Sequence, residues 1–234
     1  FSGVFSNHTI VASFSLQTYT LTLSSGPNGS ISPSGTITVN CGSSQTVLIS
    51  PASCYQIQDV LVDGISQGPV SSYTFSGITA NHTLSASFVL LNYTISASAG
   101  LHGSITPSGN SLVNCGDSIT FSIVADDCYA IEDVLIDGVS VGALSQYTFS
   151  NVTASHTISA TFNILQYSIS ASAGLNGSIS PPGITLKNCG DSLSIIISPD
   201  PCFHIQDVLV DGISQGSVSS YTFTDIRANH SISA

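Results

Sequence analysis

The chain has 234 residues, of which 42% are hydrophobic and only 6% charged, against roughly 25% charged in an ordinary soluble domain. Lys187 and Arg227 are the only strong cations beside a formal charge of −11, which excludes nucleic acid as a partner, since neutralising phosphates needs a basic face, and disfavours an anionic membrane surface. No stretch reaches the ~18 apolar residues that cross a bilayer, so no membrane insertion is expected here; the Ser-, Thr- and Asn-rich remainder reads as extracellular or cell-surface, with any leader outside the stretch.

Residues 1–14 (FSGVFSNHTIVASF) match 75–88 and read as the last strand of a preceding repeat. Tyr19, Leu21 and Leu23 then alternate with Thr and Ser, the period-two pattern of a half-buried strand. Gly26-Pro27-Asn28-Gly29 predicts a turn, followed by short extended pieces at 30–33 and 36–40. Val47 and Ile49 alternate in the next strand, which stops at Pro51. Residues 55–63 predict the longest strand, and its apolar phase slips between Ile57 and Val60, the mark of a bulge near Gln58-Asp59. Asp63-Gly64 supplies the positive φ of a hairpin turn. Tyr73 and Phe75 share one face of a further strand, as do Leu84, Ala86 and Phe88 in the last. No window carries a sustained helical period.

This pattern recurs with a period of 74 residues and no insertion. Cys41, Cys115 and Cys189 keep the interval, as do Cys54, Cys128 and Cys202, and His8, His82, His156 and His230. The chain therefore divides as 1–14, then repeats at 15–88, 89–162 and 163–234, the last lacking its final two residues. The expected fold is all-β: a tandem array of small β-sandwich or β-grasp-like repeat domains with little or no helix. A module of this size buries only about 60% of its unfolded surface, so disulfides and neighbouring repeats are the expected supports. The ends fit a window cut from a longer array; the rival reading is a polymer subunit whose spare N-terminal strand docks onto its neighbour.

The module resembles the divergent InlB B-repeat family of bacterial and archaeal surface proteins. The residues that carry the resemblance are Y-x-[LI]-x-[LA]-S, N-G-S-I-S-P-S-G, C-G-x-S, C-Y-x-I-x-D-V-L-V-D-G and Y-T-F-x-x-[IV]-T-A-N-H-T-[LI]-S-A-[ST]-F. The resemblance implies a multi-copy spacer or scaffold module in exported proteins and brings no catalytic residues with it.

Six cysteines at fixed spacing in a secreted-looking chain read as disulfides. The favoured pairing lies within each repeat, Cys41–Cys54, Cys115–Cys128 and Cys189–Cys202, closing short loops worth about 3 kcal/mol each. Against it, the intervening strand residues would span roughly 17–20 Å, while bridged Cα atoms lie within about 7 Å. The alternative links Cys54 to Cys115 and Cys128 to Cys189, leaving Cys41 and Cys202 for neighbouring modules.

Two cysteines per module without a nearby His pair do not make a zinc site. Asp59/Asp63, Asp133/Asp137 and Asp207/Asp211 recur at i, i+4, with Asp117 and Asp191 nearby, but such positions on a strand lie about 13 Å apart, too far to grip one calcium ion. No metal or cofactor is expected. The recurring His reads as a turn or strand-edge hydrogen-bonding group.

Seven Asn-x-Ser/Thr sequons, at Asn7, Asn28, Asn81, Asn92, Asn151, Asn176 and Asn229, are candidate glycan acceptors, although Asn-Gly turns and Ser/Thr-rich strands generate such triplets freely. Strict repetition would present any catalytic set three times, and none recurs, so the expectation is not an enzyme. It is a structural extracellular stalk or filament, partnered by itself or by neighbouring repeats. The alternative is a multivalent adhesin or glycan-binding array, with Tyr55, Tyr129 and Phe203 as candidate contacts to surface glycans.

Overall fold

The computed structural model describes Gly3 and residues 5–234, and no helix occurs among them. The first repeat runs through eight strands: β1 (Thr18–Ser25), β2 (Gly29–Ser32), β3 (Gly35–Asn40), β4 (Gln45–Pro51), β5 (Tyr55–Val62), β6 (Ile65–Ser66), β7 (Ser72–Phe75) and β8 (His82–Leu90). They form two sheets, ordered β3-β1-β8-β5-β6 and β2-β4-β7. β1 and β8 pair in parallel at the centre of the larger sheet, because the chain crosses to the smaller sheet and back between them. The two expected forms thus merge. The larger sheet has the mixed order of a grasp-type fold, and a second sheet covers the face where a helix would lie.

Alternation dictates the core. Leu21 and Leu23 of β1, Val60 and Val62 of β5, and Leu84 and Ala86 of β8 face Ile31 of β2, Val47 and Ile49 of β4 and Phe75 of β7. Their sequence neighbours are Thr and Ser pointing outward, where Thr46 and Thr74 pair hydroxyl to hydroxyl at 2.9 Å. The bulge falls where the phase slips, with the β5–β8 register shifting between Ile57 and Asp59. Asp63 (φ 50°) and Gly64 (φ 80°) join Val62 to its partner Ile65 in a two-residue turn with both central residues left-handed.

The second repeat places its strands between Asn92 and Ile164 and the third between Gln166 and Ser233, with the same two sheets in each. The chain forms two compact units: residues 1–92 with 114–116, and 93–113 with 117–234. Two segments depart from the repeat. Residues 5–17 form no strand and are exposed throughout, Phe5 at 99% and Phe14 at 94%. Residues 5–14 of the expected last strand of a preceding repeat thus form no strand, and residues 1, 2 and 4 of it lie outside the described residues. In the third repeat the counterpart of β5 shrinks to Leu209–Val210, since its partner strand ends at Ser233.

Candidate functional site: the joint between repeats

β8 ends at Leu90 and the next repeat's first strand begins at Asn92, so a single residue, Leu91, connects them. Its N–H donates to the carbonyl of Cys54 (2.8 Å), and its carbonyl accepts from the N–H of Cys115 (2.9 Å). Cys54 and Cys115 are themselves joined by a disulfide, with Cα atoms 5.3 Å apart. Cys54 is left-handed (φ 67°) at the entrance to β5. The same set recurs around Leu165, whose N–H donates to Cys128 (2.9 Å) and whose carbonyl accepts from Cys189 (2.8 Å), under a Cys128–Cys189 disulfide. The linker residue is thus fixed by backbone bonds on both sides and covered by a covalent bridge.

The bridges run between repeats, which corrects the within-repeat pairing favoured on sequence. The topology gives the reason. Cys41 follows β3 and Cys54 precedes β5, and β1 and β8 lie between those strands in the sheet. Three strand spacings make roughly 14 Å, twice the reach of a disulfide. Cys41 and Cys202 carry free thiols, the first half-buried and the second exposed. Cys41 nevertheless holds half a joint, its N–H donating to the Gln17 carbonyl at 2.8 Å.

Next to the second joint, the Arg227 guanidinium pairs with Asp127, the residue before Cys128, and its Nε bonds both oxygens of Asp225 (2.9 and 3.0 Å). Hydrogen bonding to Arg227 holds the Asp127 carboxyl below the usual carboxylate range and, in return, raises the guanidinium. All partners are exposed, so this contact adds little to stability.

The recurring His and the Asp of each Asp-Gly turn, separate in the sequence, meet in the fold. His82 Nδ1 lies 2.6 Å from Asp63 Oδ2, while Asp63 Oδ1 accepts from the Thr83 N–H at 2.7 Å. The pairs His156–Asp137 and His230–Asp211 repeat this at 2.7 Å. Each contact ties the β5–β6 turn to the start of β8 and its counterparts. In the first two repeats the His hydrogen bond and then the Thr N–H hold Asp63 and Asp137 below the usual carboxylate range. Asp211 is lowered chiefly by His230.

The other aspartate of each i, i+4 pair fills the bulge. Asp59 Oδ1 accepts from the N–H of Val60 (2.8 Å), the hydroxyl of Ser66 (2.7 Å) and the N–H of Gly68 (3.1 Å). Asp133 and Asp207 make the same three bonds. Among the described residues, no three His, Cys, Asp or Glu side chains are placed to hold a metal ion.

All seven sequon asparagines are exposed, and Asn28, Asn151 and Asn176 sit left-handed in turns. Two of the seven have a structural use that the sequence does not announce: the side-chain oxygens of Asn81 and Asn229 accept from the N–H groups of Thr20 (2.9 Å) and Ser168 (2.8 Å), pinning the last loop of a repeat to its first strand. Tyr55 and Tyr129 are half-buried, Tyr129 stacked on His102 at 4.0 Å, whereas Phe203 is 53% exposed. Gly29 and Gly103 lie under the rings of Phe88 and Phe162, where an added Cβ would come within 2.2–2.3 Å of the ring. The recurring interval between Gly29 and Phe88 and between Gly103 and Phe162 is the signal that could have found this contact.

Comparison with known proteins agrees with the repeat. The model of the divergent InlB B-repeat domain matches residues 93–166. The sequence matches no curated protein. Among solved structures, the Bacillus anthracis TIE protein is similar at 8% identity and a TM-score of 0.43. The match covers 94% of this chain and 51% of that one, so the chain spans about half that protein's length. A central fibronectin-III array of RIM-binding protein is similar at 13% identity and TM-score 0.18, covering 79% of this chain and 81% of that one. The I9–I11 tandem of titin gives 7% and 0.15, covering 94% and 97%. The segment 93–166 thus matches the family model of the divergent InlB B-repeat domain, and its sequence motifs recur in register in the repeats on either side.

Proposed function

We propose that the chain is a structural, non-enzymatic part of an extracellular or cell-surface protein, a stalk or filament of tandem β-modules in which the joint between the second and third repeats, inside one compact unit, is fixed rather than free. The observation that carries this reading is the joint itself, a one-residue linker bonded on both sides beneath a disulfide. A flexible tether would need several residues free to rotate; Leu91 and Leu165 have their amide and carbonyl both engaged. The low charge and the internal use of Asp59, Asp63 and His82 fit a module whose polar groups serve its own architecture. Glycans on the exposed sequons and a self-partnered assembly belong to the same proposal.

Electron microscopy of the native surface material, kept unreduced, tests it. Regular fibres or stalks with a constant axial spacing per repeat are expected, turning into flexible strings after reduction. Beads on freely bending joints in the unreduced material would sink the proposal.

A further inference from the structure

The two bridges decide which part of the chain can carry tension. Each joins cysteines 61 positions apart, so residues 55–114 and 129–188 are closed into loops beside the shortest covalent route. That route crosses from Cys54 to Cys115, follows residues 115–128, and crosses again from Cys128 to Cys189. Each bridge lies inside one compact unit, Cys54 and Cys115 in the first, Cys128 and Cys189 in the second. At full extension the route from Cys54 to Cys189 is roughly 55 Å long, against roughly 460 Å for the same stretch without bridges. Within 115–128, the seven residues Ile119–Ala125 are already an extended strand. This strand, the counterpart of β4, is the middle one of its three-stranded sheet. It pairs antiparallel with Gly103–Thr106 on one side and with Gln146–Phe149 on the other, and its Phe121 and Ile123 are buried in the core. Ladder bonds lie across the strand direction, so a pull along the strand shears them together instead of opening them one at a time. The flanking turns are tied down as well: the Asp126 N–H donates to the His102 carbonyl (3.0 Å), and the Asp117 carbonyl accepts from the Val152 N–H (2.9 Å).

We propose that the second repeat bears load along residues 115–128, with Ile119–Ala125 as the load-bearing strand. The other strands of the repeat lie in the two closed loops, where they hold this strand in place without standing in the line of tension. The function is that of an extension-limited tether. When the core of the repeat gives way, the loaded segment reaches no more than about 45 Å, whereas an unbridged repeat would pay out roughly 250 Å. This deepens the stalk reading and rests on it, because a line of tension matters only in a protein that is pulled.

Optical-tweezer stretching of the full chain, held by handles at its two ends, tests this. Reduction with dithiothreitol should lengthen the fully stretched chain by about 400 Å, and in Cys128→Ser/Cys189→Ser by about 200 Å. These lengths count covalent steps, so they read the route whether or not a variant folds. In the oxidised chain, Phe121→Leu in the load-bearing strand should lower the force at which the second repeat yields. Ile158→Val, in the same core but on the strand His156–Ile164 outside the line, should lower it less, each drop being scaled to the variant's loss of stability in urea. After reduction, when both strands stand in the line, the two scaled drops should be alike. A gain on reduction of about 120 Å or less, the value for bridges within each repeat, would overturn the inference and remove the joint beneath the stalk reading. A gain of about 400 Å with equal scaled drops in the oxidised chain would overturn the load-bearing strand and leave the stalk reading standing.

Discussion

Replacing Cys128 and Cys189 together by Ser removes one bridge and leaves neither of its two thiols behind. The bridge spans 61 residues, and closing a loop of that length in the unfolded chain is worth about 4 kcal/mol in the chain-entropy model. The two backbone bonds at Leu165 remain available, each worth about 1 kcal/mol, so the joint is weakened rather than abolished. For a unit the size of the second and third repeats together, 1 kcal/mol moves the melting midpoint by roughly 2–4 °C. The double variant should therefore melt on the order of 8–16 °C lower in the transition that contains them. Scanning calorimetry of the oxidised protein measures this, with Cys41→Ser/Cys202→Ser as the control that touches no bridge. A drop of less than about 4 °C, or an equal drop in the control, would refute the reasoning.

Three further outcomes follow from the same structure. Asp63, Asp137 and Asp211 have carboxyls lowered from 3.8 by their His and backbone partners; their contribution is full above that unfolded value and is lost as pH falls through the lower folded values. With side chains 44–48% exposed, each is screened to about 1 kcal/mol at most, so Asn at all three positions should flatten urea stability below pH 4 and leave no such change if the pairs are idle. Asp133→Ala strips three donors of one acceptor and should cost about 2 kcal/mol in urea denaturation, with Asp133→Asn recovering most of it. Gly103→Ala drives a methyl into the Phe162 ring and should cost about 1–3 kcal/mol in urea denaturation; an unchanged midpoint would contradict the seat.

Much of the fold is written in local pattern. Strict alternation at Leu21/Leu23 and Val47/Ile49 fixes which face is buried, the slip at Ile57–Val60 gives the bulge, and Asp63-Gly64 gives the turn. These features depend only on residues within a few positions of each other. The joint depends on sheet order, which no local pattern carries. Short sequence distance favours Cys41–Cys54, yet β1 and β8 hold those residues on opposite flanks of one sheet. Asp63 and His82 were visible as separate repeating residues, but their contact across 19 positions requires the β5–β8 pairing. Asn81 read only as a sequon because its bond to Thr20 closes a loop of 61 residues.

Disulfide mapping of the unreduced protein by proteolysis and mass spectrometry tests the central claim most directly. The fixed joint predicts Cys54 linked to Cys115 and Cys128 linked to Cys189. Cys41–Cys54, Cys115–Cys128 and Cys189–Cys202 peptides would contradict it.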